Sequence, residues 1–278
     1  MIHERSPKLL SRRTARRTAL NTRCGWWRRQ WTHSAFSTVA RSAVALGIAL
    51  GGALGGLTPG EAGAAEGEGE SETPRVVHAF DFTQQPEGEA VDWLRRQGFE
   101  LELDARALDP RFGEKGLLLS TDRSEAGLFA RKLSIPAAER IRVVWGVDRY
   151  PSGANWEKGV FRVPIAVMVS FGEEEIDSGS FFVPDAPYFI SLFLSRNARA
   201  GKSYTANYYR KGGRYFCVEC SPPPGKTIST EFDLATAFRK EFDLAKVPPI
   251  TSFSFQMNTK DTRGGARAWL SRVEFLAN

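Results

Sequence analysis

The chain has 278 residues, with 38 Lys and Arg against 32 Asp and Glu, three Cys and three His. Residues 1–65 hold ten of the basic and two of the acidic side chains, so the remainder carries 28 against 30, a net charge of −2. The sequence pI of about 9.3 therefore belongs to the N-terminal stretch and makes no case for nucleic acid as a partner. One histidine beyond residue 65, His78, excludes a His-rich metal site there.

Ser42 to Leu57 is an uncharged apolar run of 16 residues, short and Gly-rich for a membrane span. Basic residues precede it and Ala62-Gly63-Ala64 follow it, the order of a secretory signal cut after Ala64 or Ala65. The alternative is an uncleaved anchor, which would be the only membrane link. Ser11-Arg12-Arg13 hints at twin-Arg export but lacks the usual apolar neighbour. A start at Val39 rather than Met1 would give a signal of ordinary length. The expected location is periplasmic or extracellular. Residues 66–75 open with EGEGESET, which reads as a disordered acidic linker, and residues 76–278 read as one domain.

Val76 to Phe82 alternates as a first strand. Glu89 to Gln97 suits a short helix with Trp93 and Leu94 inward, stopped by Gly98. Phe99, Leu101 and Leu103 alternate with acids as a half-buried strand, and Gly116 to Ser120 and Leu128 to Ile135 are two more. Ile141, Val143, Trp145 and Val147 share one strand face. Val163 to Phe171 is nearly all apolar, the mark of a central strand, and Tyr188 to Leu194 is similar. Ser203 to Arg210 and Arg214 to Cys220 flank Gly212-Gly213, a two-residue hairpin signal. Asp233 to Ala245 places Leu234, Phe238 and Phe242 on one helical face, before Pro248-Pro249. Phe253, Phe255 and Met257, then Ala266 to Leu276, supply the last strands.

Many short strands, one clear helix and no βαβ alternation predict an all-β single β-sandwich of jelly-roll type, with one or two short helices. In Phe80 to Phe82 (FDF), Arg142 to Val147 (RVVWGV) and the closing stretch from Gln256 (QMNTKDTRGGARAWLSRVEF), the chain resembles an uncharacterised family of secreted bacterial proteins. In outline it is also similar to galactose-binding-like sandwiches of carbohydrate-binding modules. That resemblance implies a fold and a sugar-related role. It brings no catalytic motif and no cofactor.

Two function classes follow: an exported, non-catalytic binding module for a glycan or anionic envelope component, or an envelope polysaccharide glycosidase or lyase working through carboxylates. For the enzyme, Asp148 and Glu157 bracket a loop, and Glu173, Glu174, Glu175 and Asp177 cluster after an apolar strand. For the module, Arg149, Tyr150, Asn155 and Trp156 combine rings for sugar C–H faces with polar groups for hydroxyls; otherwise Trp156 anchors the loop from beneath. From Ala186 to Val218 there is no acid, while Arg196, Arg199, Lys202, Arg210, Lys211 and Arg214 interleave with Tyr204, Tyr208, Tyr209 and Tyr215. This is either a contact surface for an anion or a plain hairpin paired with the Glu173 cluster. Cys217 and Cys220 form a disulfide only if the chain bends between them, since residues three apart on a straight strand lie about 10 Å apart; otherwise they are separate thiols.

Overall fold

The structure, a computed structural model, describes residues 74–136 and 138–277. The expected signal segment, the twin-Arg motif, the Val39 start and all but the last two residues of the acidic linker lie outside the described residues.

Fourteen strands follow one another: β1 Arg75–Asp81, β2 Gly88–Glu89, β3 Glu100–Leu103, β4 Arg111–Gly113, β5 Gly116–Thr121, β6 Ala126–Ile135 and β7 Arg140–Arg149, then β8 Val163–Ile176, β9 Ala186–Ser195, β10 Ser203–Tyr204, β11 Gly213–Cys220, β12 Thr227–Asp233, β13 Ile250–Asn258 and β14 Ala266–Ala277. They form two seven-stranded sheets. Sheet A has the order β12-β7-β14-β5-β4-β2, with β1 also on β14; sheet B has the order β10-β11-β9-β8-β13-β6-β3. Successive strands β5 to β8 alternate between the sheets, as do β11 to β14, which is the winding of a jelly roll. Neighbours are antiparallel except β11 and β9, which run parallel. The protein is an all-β sandwich.

The core lies between the sheets. Ile141, Val143, Trp145 and Val147 of β7 are fully buried, as are Phe253, Phe255 and Met257 of β13. Strand β8 is central, between β9 and β13, and is buried on both faces over Val163 to Val167. The helices are α1 Val91–Arg96 and α2 Leu234–Phe242. Asp233 caps α2 by accepting from the Thr236 N–H at 2.7 Å, and Phe238 inserts against Phe171 at 4.8 Å. The helix stops at Asp243, which adopts a left-handed φ of 54°, before the expected end at Ala245.

Two local expectations are corrected and one strand is added. Gly212-Gly213 is not a two-residue hairpin turn. Ser203 pairs with Phe216 and Tyr204 with Tyr215, a loop separates the strands, and β11 lies on β9. These glycines are close-packing positions: a Cβ on Gly213 would stand 2.5 Å from the Phe189 ring, and one on Gly212 would stand 2.9 Å from Ile176. Leu103 turns outward with φ 57° and is exposed rather than half-buried. The alternating stretch Thr227–Asp233, for which no strand was expected, is a full edge strand on β7.

Candidate functional site

The outer faces of the two sheets differ in kind. On sheet A, Arg140 pairs with Glu231 at 2.8 Å, Arg142 with both Glu231 and Glu274 at 2.9 Å, and Arg272 with Glu274 at 3.0 Å. In this ladder each carboxylate meets a guanidinium. On sheet B the outward row Ser191, Met168, Ser254 and Ala130 runs across β9, β8, β13 and β6, beside the row Phe193, Ala166, Gln256 and Leu128. Neither row carries a charge on these four strands.

A second apolar cluster covers part of this face. Asn155 accepts from the Lys158 N–H at 3.1 Å and so caps the short 3-10 turn Trp156–Lys158. The turn drives Trp156 inward. Its ring stacks on Phe193 at 4.0 Å and meets Phe161, Tyr204 and Tyr215, while its indole N–H donates to the Arg162 carbonyl at 3.1 Å. Trp156 is 5% exposed. The expectation of an open stacking ring is corrected: this residue is the core anchor of its loop. Tyr150 is also engaged, donating to the Pro222 carbonyl at 2.9 Å beneath the Arg196 guanidinium. Desolvation pushes its phenol up to about 12. Arg149 is tied to Asp122 and to the Thr121 carbonyl. The four residues do not form one binding surface.

Next to this cluster, still on the outer face of sheet B, lies an open cleft of about 390 Å³. Phe161, Tyr208, Tyr215 and the edge of the buried Trp156 supply its rings, and Asn207, Gln256 and Asn258 its amides. Tyr208 is 48% exposed. Both cations of the lining are spoken for. Arg162 donates to the Lys260 and Phe161 carbonyls and pairs with Asp261 at 2.7 Å, and Lys260 pairs with Asp104 at 2.9 Å. Among the described residues, Asn207 and the Tyr208 hydroxyl make no hydrogen bond within the fold, while Gln256 has only a 4.0 Å contact to the Met168 sulfur. The wall that carries Tyr208 is under backbone strain. Tyr209 has φ 58°, costly for a bulky side chain. It is held there because its N–H donates to Ser178 and its hydroxyl to the Pro184 carbonyl. Trp156, Tyr208 and Tyr215 are candidates in the sequence, but nothing there joins them to Phe161, Gln256 and Asn258, since the lining comes from four separate stretches brought together only by strand register.

The cationic hairpin is not the contiguous patch expected. Lys202 pairs with Glu157 at 3.0 Å, Lys211 with Asp177 at 3.6 Å and Arg214 with Glu241 at 3.2 Å. Arg214 also donates to the Arg210 and Gly213 carbonyls and lies over Phe242 at 5.0 Å, so it is a structural residue. Glu173, Glu174 and Glu175, expected to be the neutralising acids, form no ion pair among the described residues. Arg196, Arg199 and Arg210 are exposed and form no ion pair among those residues, although the Arg199 charge acts on Glu157. Of the tyrosines only Tyr208 is open; Tyr204 is buried with its hydroxyl on Glu157. That bond, followed by the one from Lys202, holds the Glu157 carboxyl below its usual range. Asp148 has its own partner, Lys115 at 3.6 Å.

Cys217 and Cys220 are joined by a disulfide, with Cα atoms 5.8 Å apart. The chain bends between them, as that bond requires. A bulge between Cys217 and Glu219 shortens the span while β11 continues to Cys220.

No family model matches the chain and no curated protein matches it. Solved structures with a similar outline include TmCBM61 in complex with beta-1,4-galactotriose, at 7% identity over 72% of this chain and 99% of that one, TM-score 0.33. The carbohydrate recognition domain of Emp46p, potassium-bound, is 12% identical over 70% of this chain and 94% of that one, TM-score 0.36. The cellulase MT Cel12A, derived from Cel12A of Rhodothermus marinus, is 11% identical over 70% and 99%, TM-score 0.33. Overlaps this loose transfer neither a ligand nor an activity.

Proposed function

We propose that this protein is an exported, non-catalytic binding module for a neutral glycan, and that the cleft on the outer face of sheet B is its site. One observation carries the reading. An exposed tyrosine stands beside the unbonded Asn207 amide and the loosely held Gln256 amide in a cleft whose two cations are already neutralised. A sugar ring offers a flat C–H face and a rim of hydroxyls. A tyrosine ring matches the first, and amides, which both donate and accept, match the second. The strained Tyr209 fits the same reading, since strain held in place by surrounding bonds collects at binding loops. Export follows from the apolar segment 42–57 and the small residues after it.

The test is affinity gel electrophoresis in galactan, xylan and hydroxyethylcellulose, with polygalacturonate as the anionic comparison. At least one neutral polymer should retard the parent. Tyr208→Ala and the pair Asn207→Ala with Gln256→Ala should abolish that retardation at unchanged melting temperature. Retardation of Tyr208→Ala equal to the parent's would overturn the assignment of the cleft.

A further inference from the structure

Loop 177–185 between β8 and β9 carries Phe181 at 93% and Phe182 at 88% exposure, with ring centroids 5.6 Å apart and nearly perpendicular. Two large apolar rings left in water normally fold back onto the surface. Here the loop is tied open. Ser178 is buried: its N–H donates to Asp185 at 2.8 Å and its hydroxyl to the Val183 carbonyl at 2.6 Å. Gly179 N–H donates to Asp177 at 2.8 Å and Phe182 N–H to the Ser180 hydroxyl at 3.3 Å. Tyr209 then clamps the loop at both ends, through Ser178 and Pro184. The residue before it is Tyr208, the open ring of the cleft.

We infer that the Phe181–Phe182 pair is a second platform for the glycan held in the cleft, so that an extended chain is gripped at two points along one face. The inference rests on the reading of the cleft as a glycan site. Strand β9 gives the spacing. Ala186, at the base of the loop, is in register with Ile176, and Phe193 is in register with Ala166, which pairs with Gln256 of the cleft. The seven steps from Ala186 to Phe193 span about 23 Å and lead to the far, Gln256 end of the cleft, while Tyr208 stands at its near end beside the loop. A disaccharide seated at the Gln256 end does not reach the phenylalanines, and a polymer running past Tyr208 does. Charge argues against a bilayer as the occupant. Glu173, Glu174, Glu175, Asp177 and Asp185 surround the loop against Arg210 and Lys211, and Lys211 is already paired with Asp177. Anionic lipid would be repelled.

Galactan, xylan and hydroxyethylcellulose, each with its own disaccharide, supply the test by titration calorimetry on the full chain. Phe181→Ser with Phe182→Ser should weaken binding of the retarding polymer by about ten-fold or more, the loss expected of a well-seated aromatic anchor. Disaccharide affinity should be unchanged. Both rings are exposed, so the variant should fold as the parent does. Unchanged polymer affinity, equal losses for polymer and disaccharide, or loss of parental co-sedimentation with phosphatidylglycerol vesicles would each overturn the platform. Tyr208→Ala separates the two ideas: it should weaken both ligand lengths, and if it weakens neither, the cleft reading falls whatever the phenylalanines do. A parent that binds none of the three polymers overturns both.

Discussion

Replacing Trp156 by Ala asks whether this ring serves the fold or a ligand. The ring is 5% exposed, stacked at 4.0 Å on Phe193, with Phe161, Tyr204 and Tyr215 at its sides. Removing a buried aromatic of this kind costs about 3–5 kcal/mol in transfer and cavity terms. At roughly 2–4 °C per kcal/mol for a domain of this size, the melting temperature should fall by about 6–20 °C. Trp156→Phe keeps most of the packing but leaves the Arg162 carbonyl without its indole donor, a loss of about 1–3 kcal/mol. The measurement is urea and thermal unfolding followed by circular dichroism, with no ligand present. A ring that mainly serves to stack on sugar would make Trp156→Ala nearly silent in that experiment. A change within about 0.5 kcal/mol, the scale of ordinary surface substitutions, would refute the anchor assignment.

Arg214→Ser should cost about 2 kcal/mol or more in urea unfolding, because it strips Glu241 of a partner in a largely buried pair, whereas Arg210→Ser at the exposed neighbour should stay within about 0.5 kcal/mol. Unfolded full-length protein should titrate one thiol, from Cys24, and two more only after reduction; opening this four-residue loop should cost about 2 kcal/mol on chain-entropy grounds. Tyr150 and Tyr209 both have phenols pushed up to about 12, mainly by burial. The unfolded chain releases those protons near pH 10 and the folded one does not, so stability should fall as pH rises from 10 towards 12. The loss should shrink in Tyr150→Phe, read by urea midpoints across that range.

Much of the fold could be read from alternation alone. Ile141 to Val147 and Phe253 to Met257 announce their buried faces because a strand repeats every two residues. The same signal is present in Thr227–Asp233, where Ile228 and Phe232 pack on the core, but only two apolar residues alternate there before the helix begins. Gly212-Gly213 misled for a physical reason. Glycine serves turns and close packing alike, and only the approach of Phe189 and Ile176 tells the two apart. Trp156 beside Asn155 and Tyr150 resembled a sugar loop because exposed and buried aromatics have the same letters. Of the cleft, Tyr208, Tyr215 and Trp156 were legible as candidate contact residues, but not their grouping with Phe161 and Gln256. Phe161, Tyr208, Gln256 and Lys260 meet through the order β11-β9-β8-β13, which depends on long-range pairing.

Pairing also decides what kind of ligand the face can take. The sequence places six cations between Arg196 and Arg214 without an acid among them, which taken alone points to an anion. In the fold, Glu157, Asp177 and Glu241 arrive from other segments and claim Lys202, Lys211 and Arg214. Asp261 and Asp104 claim the two cations of the cleft itself. Arg196 lies over Tyr150, beside a smaller cavity of about 200 Å³ rather than in the cleft lining. A ligand in the cleft therefore meets rings and amides with little net field. Its affinity should change less than about two-fold when salt rises from roughly 50 to 500 mM, even though the screening length shortens about three-fold over that range. A ligand drawn by Arg196, Arg199 and Arg210 would behave otherwise, losing about ten-fold or more. Titration of the retarding polymer at both salt concentrations distinguishes the cases. A steep loss would return the function to the exposed arginines and take it away from Tyr208.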